Sequence, residues 1–244
     1  MNNYLVFIPA YNEASTIGQI IGQIHQLRED PDILVIDDGS GDSTRDILEK
    51  TSGIYTLYHQ ANLGYGQTLI DGFNFAGEKG YEYVITIDSD KQHQPSEIPL
   101  FIEQSKQLGV DILSGSRYLH PSGEGLMKAP ADRVKVNRRI TARINQITGY
   151  RLTDAFCGFK LYRVKALNRL NLNEQGYGMP LQFWIQAWKK GLTLRELPVQ
   201  MIYFDHDPTV RASHSNLCQR YKYYLDVIEK EKMTYETTDI SRSS

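Results

Sequence analysis

Residues 83–95, YVITIDSDKQHQP, close an apolar run, Val84 to Ile87, with two carboxylates one residue apart. Asp88 and Asp90 repel one another unless a counter-charge lies between them. A hard divalent cation, Mg²⁺ or Mn²⁺, prefers carboxylate oxygen and often shares its shell with substrate phosphates. Gln92 adds a neutral oxygen to the same candidate metal site, while His93 reads as a structural neighbour rather than a ligand. Taken alone, the Asp-x-Asp pattern also describes a solvated turn that merely stops a strand. A second chemistry is cationic. Arg117 follows the small residues Ser114, Gly115 and Ser116, which allow a phosphate or backbone to come close. Its planar fork of donors suits a phosphate. Lys128, Arg133, Lys135, Arg138, Arg139 and Arg143 crowd one predicted helix. That density suits an anionic acceptor or a membrane surface, the alternative being an ordinary solvated helix face. Cys157 has no base beside it in sequence and reads as a packing residue; Phe183, Trp184 and Trp188 read as core.

These residues need a frame. Apolar runs at Tyr4 to Ile8, Ile33 to Ile36, Ile54 to Tyr58, Val84 to Ile87 and within VDILSGSRY predict five strands. Between them, Ile17, Ile20, Ile21, Ile24 and Leu27 fall at helical spacing. Further helices are predicted from Asp42 or Ser43 through Leu48, after the glycine-loosened turn NLGYG, and from Ser96 to Leu108. Such alternation predicts a parallel α/β sheet with right-handed crossovers, and ligands of such sheets bind at the carboxyl ends of the strands. The clusters PAYNE, DDGSGD, DSDKQH and GSRY all fall at those ends and should meet in one crevice. The second half is less regular. It offers the basic helix of RVKVNRRITARINQITG, a strand entering a helix in GFKLYRVKAL, and the aromatic-rich helix of MPLQFWIQAWKKG. Two short strands are expected in LTLRELPVQMIYF, then a last helix from Asn216 to Lys232. No repeat or linker divides the chain, so one domain over residues 1–232 and a flexible tail over 233–244 are expected.

Composition removes some classes of function. The chain has 244 residues, 41% of them hydrophobic and 23% charged, as a soluble globular domain does. A net charge of -2 gives no general reason to expect nucleic acid as a partner. Two cysteines, Cys157 and Cys218, make neither a framework nor a CxxC pair, which points to a reducing, cytoplasmic setting. The N-terminus lacks the pattern of a signal peptide, and no apolar run reaches the roughly 18 residues of a membrane span.

With IPAYNE, DDGSGDST, NLGYGQTL, DSDKQHQP and GSRY in this order, the chain resembles family-2 glycosyltransferases of the GT-A fold. Within them it is most similar to the dolichyl-phosphate mannose synthase branch, the polyprenyl-phosphate glycosyltransferases. The later TDAFCGFKLYR is similar to that branch's Asp-x-x-Ser-Gly-Phe-Arg segment, with Cys157 at the serine and Lys160 at the arginine. The resemblance covers roughly residues 4–212. It implies a Rossmann-like, mixed, mainly parallel sheet flanked by helices. Residues 1–118 would be the nucleotide-sugar half and 119–232 the acceptor side.

The resemblance also assigns roles. Pro9, Tyr11 and Glu13 would line the nucleoside pocket, which does not prevent them from making a strand-to-helix turn. Asp38 would accept hydrogen bonds from the base, the alternative being an Asx turn. Asp88, Asp90 and Gln92 would hold the diphosphate and metal, with Asp90 catalytic as well. Arg117 and Arg133 would act in catalysis by binding the acceptor phosphate, with Arg211 as a further acceptor contact. The implied reaction is metal-dependent and inverting. A sugar would pass from GDP-mannose or UDP-glucose to a polyprenyl or dolichyl phosphate, at peripheral contact with a membrane. A sugar or other hydroxyl acceptor, a nucleotide-sugar-binding protein without turnover, and a nucleotidyltransferase are the alternatives. The chain departs from the family at Gln182, where a glutamate is common. It departs again in DHDPTVRASH, which offers Arg211 where a glycine, a serine and a lysine are usual.

Overall fold

The computed structural model describes residues 2–119, 129–202 and 217–240. The order of elements is β1 (Tyr4–Ala10), α1 (Ile17–His25), β2 (Asp32–Asp37), α2 (Thr44–Glu49), β3 (Tyr55–Tyr58), α3 (Tyr65–Glu78) and β4 (Tyr83–Thr86). A 3₁₀ turn (Pro95–Glu97) leads into α4 (Ile98–Leu108) and β5 (Ile112–Ser116). Then come α5 (Ala131–Thr148), β6 (Lys160–Arg163), α6 (Val164–Leu167), α7 (Met179–Lys189), β7 (Leu194–Pro198) and α8 (Leu217–Ile240).

The seven strands form one sheet in the order β3-β2-β1-β4-β6-β5-β7. β6 runs antiparallel to both of its neighbours; the other paired strands are parallel. This is the mixed, mainly parallel α/β fold the sequence predicts. β1 shows why a short apolar run makes a central strand. Leu5 and Phe7 face one core cluster, Val6 and Ile8 the other, and all four are fully buried. A strand's two-residue period sends neighbouring side chains to opposite faces, so a strand covered on both faces must be apolar throughout. Burying each such side chain contributes about 1.5–3 kcal/mol.

Two expectations change. The segment LTLRELPVQMIYF supplies one strand among its described residues, β7, not two. Beyond it, Val199 N–H still donates to Ser116 O at 3.1 Å, but Ile202 N–H turns to Gln92 O at 3.1 Å, so the chain leaves the ladder for the loop after β4. The last helix passes Lys232 and runs to Ile240, because no glycine or proline interrupts KMTYETTDI. The flexible tail expected from residue 233 is therefore helical up to that point. The residues before and after position 118 share one sheet, since β6 lies between β4 and β5.

Candidate functional site

The carboxyl ends of β1, β2 and β4 supply most of the predicted polar residues. Pro9 and Ala10 end β1, and Asn12 follows in the left-handed region at φ 58°. This loop is laced to the one after β2. Asn12 N–H donates to Ser40 Oγ at 2.8 Å, Gly41 N–H to Asn12 Oδ1 at 2.8 Å, and Glu13 N–H to Thr44 Oγ1 at 2.8 Å. The Glu13 carboxylate accepts from Thr16 Oγ1 at 2.7 Å, and burial raises its pKa. Tyr11 is exposed.

Asp38 is buried, and both of its oxygens have partners. Oδ1 accepts from Leu63 N–H at 2.8 Å and lies 2.7 Å from His59 Nδ1; Oδ2 accepts from Gly64 N–H at 2.9 Å. His59 Nε2 lies 3.1 Å from Asp71 Oδ2. The aspartate that resemblance would give to a base thus pins the NLGYG loop through the Leu63 and Gly64 amides, with His59 beside it.

Asp88 and Asp90 emerge half-buried from the end of β4. Asp88 Oδ1 accepts the Tyr65 hydroxyl at 3.1 Å. Burial first, then the Asp88 charge, hold that phenol well above its ordinary pKa, so it remains a donor. Between the two acids, Ser89 Oγ donates to Pro9 O at 2.9 Å and ties the turn to β1. Lys91 takes φ 61°, and Gln92 N–H donates to Asp90 Oδ1 at 2.9 Å. Gln92 is buried, and its carbonyl accepts from Ile202 N–H. Gly158 lies against Asp88 so closely that a Cβ there would sit 2.0 Å from Asp88 Oδ2. His93 is buried with Nε2 3.8 Å from Cys157 Sγ. Burial lowers His93 to about 4 and pushes the Cys157 thiol up to about 12. Both groups are therefore neutral at pH 7, and the fully buried Cys157 is a packing residue as expected.

The donor set bears on the implied metal. Among the described residues no group of three His, Cys, Asp or Glu side chains forms a cage. Mg²⁺ does not need one: it is commonly held by one or two carboxylates together with substrate phosphates and water. Asp88 and Asp90 fit that requirement.

Arg117 has a different setting from the open fork expected of it. Its side chain is 14% exposed, and Nε and Nη2 donate to Asp154 Oδ2 and Oδ1 at 2.6 and 2.9 Å. Asp154 is fully buried and also accepts from Asn137 Nδ2 at 2.8 Å. Although burial alone would raise it, the Arg117 charge and these bonds bring Asp154 down to about 2. A guanidinium taken out of water requires such a counter-charge. Glu196 on β7 accepts from Thr153 and Asp154 N–H at 2.8 and 3.0 Å, fixing the loop that carries the pair. Buried Lys160 donates to Cys157 O and lies 5.7 Å from the Trp184 ring centroid.

Arg133 stands half-buried in the first turn of α5. Lys135, Arg138 and Arg139 on this helix are exposed, whereas Arg143 pairs with Glu229 of α8 at 2.5 Å. Lys128 and Arg211 lie outside the described residues. Phe183 and Trp184 are core, as predicted, while Trp188 is half-buried. Gln182 donates to Glu231 Oε2 at 2.8 Å, so the position where the family often carries glutamate binds one from α8 instead.

Sequence reading missed the loop of residues 174–178. Gly66 packs against it: a Cβ there would meet Glu174 O at 2.2 Å. Gln67 N–H donates to Gln175 O at 3.1 Å, and the Tyr177 ring stacks on Tyr65 at 5.5 Å. The two glycines flanking Tyr177 were the available signal, as was the Tyr65 of NLGYG.

Comparison with known proteins follows the same lines. Residues 5–170 match the model of the family Glycosyl transferase family 2. Undecaprenyl-phosphate mannosyltransferase of Micrococcus luteus is 27% identical over 205 residues, 81% of this chain and 83% of that protein. Polyprenol monophosphomannose synthase of Mycolicibacterium smegmatis is 26% identical over 203 residues, 80% of this chain and 76% of that protein. Among solved structures, glucosyl-3-phosphoglycerate synthase from Mycobacterium tuberculosis, in complex with Mn²⁺, UDP and glucosyl-3-phosphoglycerate, superposes with a TM-score of 0.70. It is 18% identical, and the match covers 94% of this chain and 80% of that one.

Proposed function

Because this chain belongs to Glycosyl transferase family 2 and is a glycosyltransferase, we propose that it transfers mannose from GDP-mannose to a polyprenyl phosphate. The observation that carries the reading is the paired emergence of Asp88 and Asp90 from β4, with Tyr65 and Gly158 fixing the first of them. Asp88 and Asp90 would hold a Mg²⁺ or Mn²⁺ ion, which supplies positive charge to the donor diphosphate. Tyr11 and Glu13, on the loop laced to residues 40–44, would border the nucleoside. Asp38 serves the same pocket through the loop it pins, with Pro9 anchoring the turn between the two acids through its carbonyl. Gln92 supports that turn through its N–H bond to Asp90.

The acceptor is a phosphate dianion near neutral pH and already a nucleophile, so no general base has to remove a proton. One acceptor oxygen forms a bond to the anomeric carbon as the bond from that carbon to the diphosphate oxygen breaks. The electron pair leaves with the nucleoside diphosphate, and a single in-line displacement inverts the centre. Arg133 and Arg211 would offset the acceptor's charge. Arg117, engaged with Asp154, acts by holding the loop of residues 153–158 beside Asp88. The exposed Lys135, Arg138 and Arg139 would face anionic lipid, each adding about 1 kcal/mol near such a surface. Among the described residues no helix is long and apolar enough to cross a membrane; the contact proposed here is a peripheral one, made through these basic side chains.

The test is a panel of GDP-mannose and UDP-glucose with polyprenyl phosphate, or with the corresponding polyprenol and a simple sugar as hydroxyl acceptors, with and without Mg²⁺ or Mn²⁺, read by mass spectrometry. A mannosyl-phosphoryl-polyprenol product supports the reading. Transfer only to a hydroxyl acceptor, or donor binding with no product, overturns it.

A further inference from the structure

Tyr177 is the most exposed large aromatic side chain among the described residues, at 66%. One face of its ring rests on Tyr65, at 5.5 Å and 15° between planes, and the Tyr65 hydroxyl reaches Asp88. The ring is not on a loose loop. Gln175 Nε2 donates to Gln67 Oε1 at 3.1 Å on the α3 side. On the α8 side, Gly178 N–H donates to the Tyr223 hydroxyl at 3.0 Å, and that hydroxyl donates to Glu174 Oε1 at 2.5 Å. Tyr223 adjoins Tyr224 at 5.6 Å, and Tyr224 adjoins Phe156 at 4.9 Å. The loop is therefore flanked by aromatic rings on both sides, Tyr65 towards Asp88 and Tyr223 on α8. Arg220 is exposed on α8 one helical turn before Tyr223 and Tyr224, and Arg133 is half-buried in the first turn of α5, which packs against α8.

A rigid ring held open to water is a preformed contact surface, since little conformational freedom is lost when something covers it. A small polar acceptor has no use for it. A phosphate that carries an isoprenoid chain does: its charged end needs the arginines, and its first branched units need an apolar path away from them.

We propose that Tyr177 is the platform for the first isoprene units of the acceptor lipid, and that Arg133 and Arg220 supply the charge for its phosphate. This rests on the reading of the acceptor as a polyprenyl phosphate and selects it over small soluble phosphates. Neither Tyr177 nor Arg220 was singled out by sequence, because the glycines flanking Tyr177 signal a turn and not an exposed ring, and a lone arginine on a terminal helix carries no motif.

Calorimetry with farnesyl phosphate and with isopropyl phosphate, in the absence of donor, tests the proposal. Wild-type protein should bind farnesyl phosphate at least about tenfold more tightly than isopropyl phosphate. Tyr177→Ala should remove most of that difference and leave isopropyl phosphate binding alone, Tyr177→Phe should keep it, and Arg220→Ala should weaken both ligands. Equal wild-type affinity for the two phosphates, or an unchanged preference in Tyr177→Ala, overturns the platform. GDP-mannose titrated in parallel, with Mg²⁺ present, keeps the readings separate. If the lipid preference depends on Tyr177 but no nucleotide sugar binds, the platform stands and the proposed transfer falls.

Discussion

Arg117 and Asp154 form a two-point ion pair, with N–O distances of 2.6 and 2.9 Å, between the end of β5 and the loop that leads to Gly158. Its geometry makes both residues structural as well as functional candidates. Losing one partner strands the other's charge in the interior, which typically costs about 3–5 kcal/mol. Arg117→Ala and Asp154→Asn should each lower stability by an amount in that range in urea denaturation at pH 7. The double change Arg117→Met with Asp154→Leu should recover part of it. Single changes costing under about 1 kcal/mol would show the pair to be dispensable.

The same pair sets an acid limit. Asp154 falls from an ordinary 3.8 to about 2 in the folded chain. A depressed carboxylate contributes stability that is fully present above its unfolded pKa and is lost as pH falls through the folded one. Its share, about 2 kcal/mol for a shift of this size, should disappear between pH 4 and pH 2. A urea series across that window should show the slope in wild type and a shallower one in Asp154→Asn. Equal slopes would mean that Asp154 titrates normally.

Asp90→Ala should abolish metal-dependent donor binding and most turnover while the far-ultraviolet spectrum stays as it was. The residue is half-buried at a turn, so no core cavity opens. Loss of a group that positions charge at the transition state costs about 3 kcal/mol, or roughly a hundredfold in rate. Near-normal kcat with saturating donor and Mn²⁺ would remove Asp90 from the site.

Gly158→Ala tests the placing of Asp88. The new methyl would overlap the Asp88 carboxylate, with contacts of 2.0 to 2.5 Å. The obstructed atoms are the end of a side chain and can swing aside, so the fold should survive with Asp88 displaced. Donor affinity should drop at least tenfold, with a change in melting temperature of only a few degrees. Unaltered donor affinity would mean that the position of Asp88 is not critical.

Liposome flotation addresses the basic face of α5. Binding to anionic vesicles should weaken with salt and fall further when Lys135, Arg138 and Arg139 are replaced by Gln together. Absence of binding at low salt, even with polyprenyl phosphate in the vesicles, would end the case for peripheral contact.

Much of this site could be read from the chain because each polar cluster follows an apolar run. Val84 to Ile87 marks a strand, and the strand's end fixes where Asp88 must lie. The partners were harder to read. Nothing local indicates that Asp38 binds the amides of Leu63 and Gly64, or that Arg117 is matched by Asp154, because these bonds join segments distant in sequence. Burial was equally invisible: an arginine after a small-residue strand looks open to phosphate, whereas here its fork is turned onto the buried Asp154. The length of α8 was missed for another reason. A polar composition suggests a solvated tail, but helix propensity does not require an apolar face when no residue breaks the ladder.

The place of β6 has a consequence for how the polypeptide is made. β4 and β5 leave the ribosome early, yet the strand that joins them, Lys160–Arg163, is synthesised only after α5. Until then each presents an unpaired strand edge, a hazard for association with other nascent chains. The loop carrying Asp154 and Gly158 arrives with β6, so the Asp88 site forms in the same late event that joins β4 to β5, with β7 still to follow. A chain halted before that point would have neither, and a protein split at residue 118 would regain its sheet only through complementation by the second fragment.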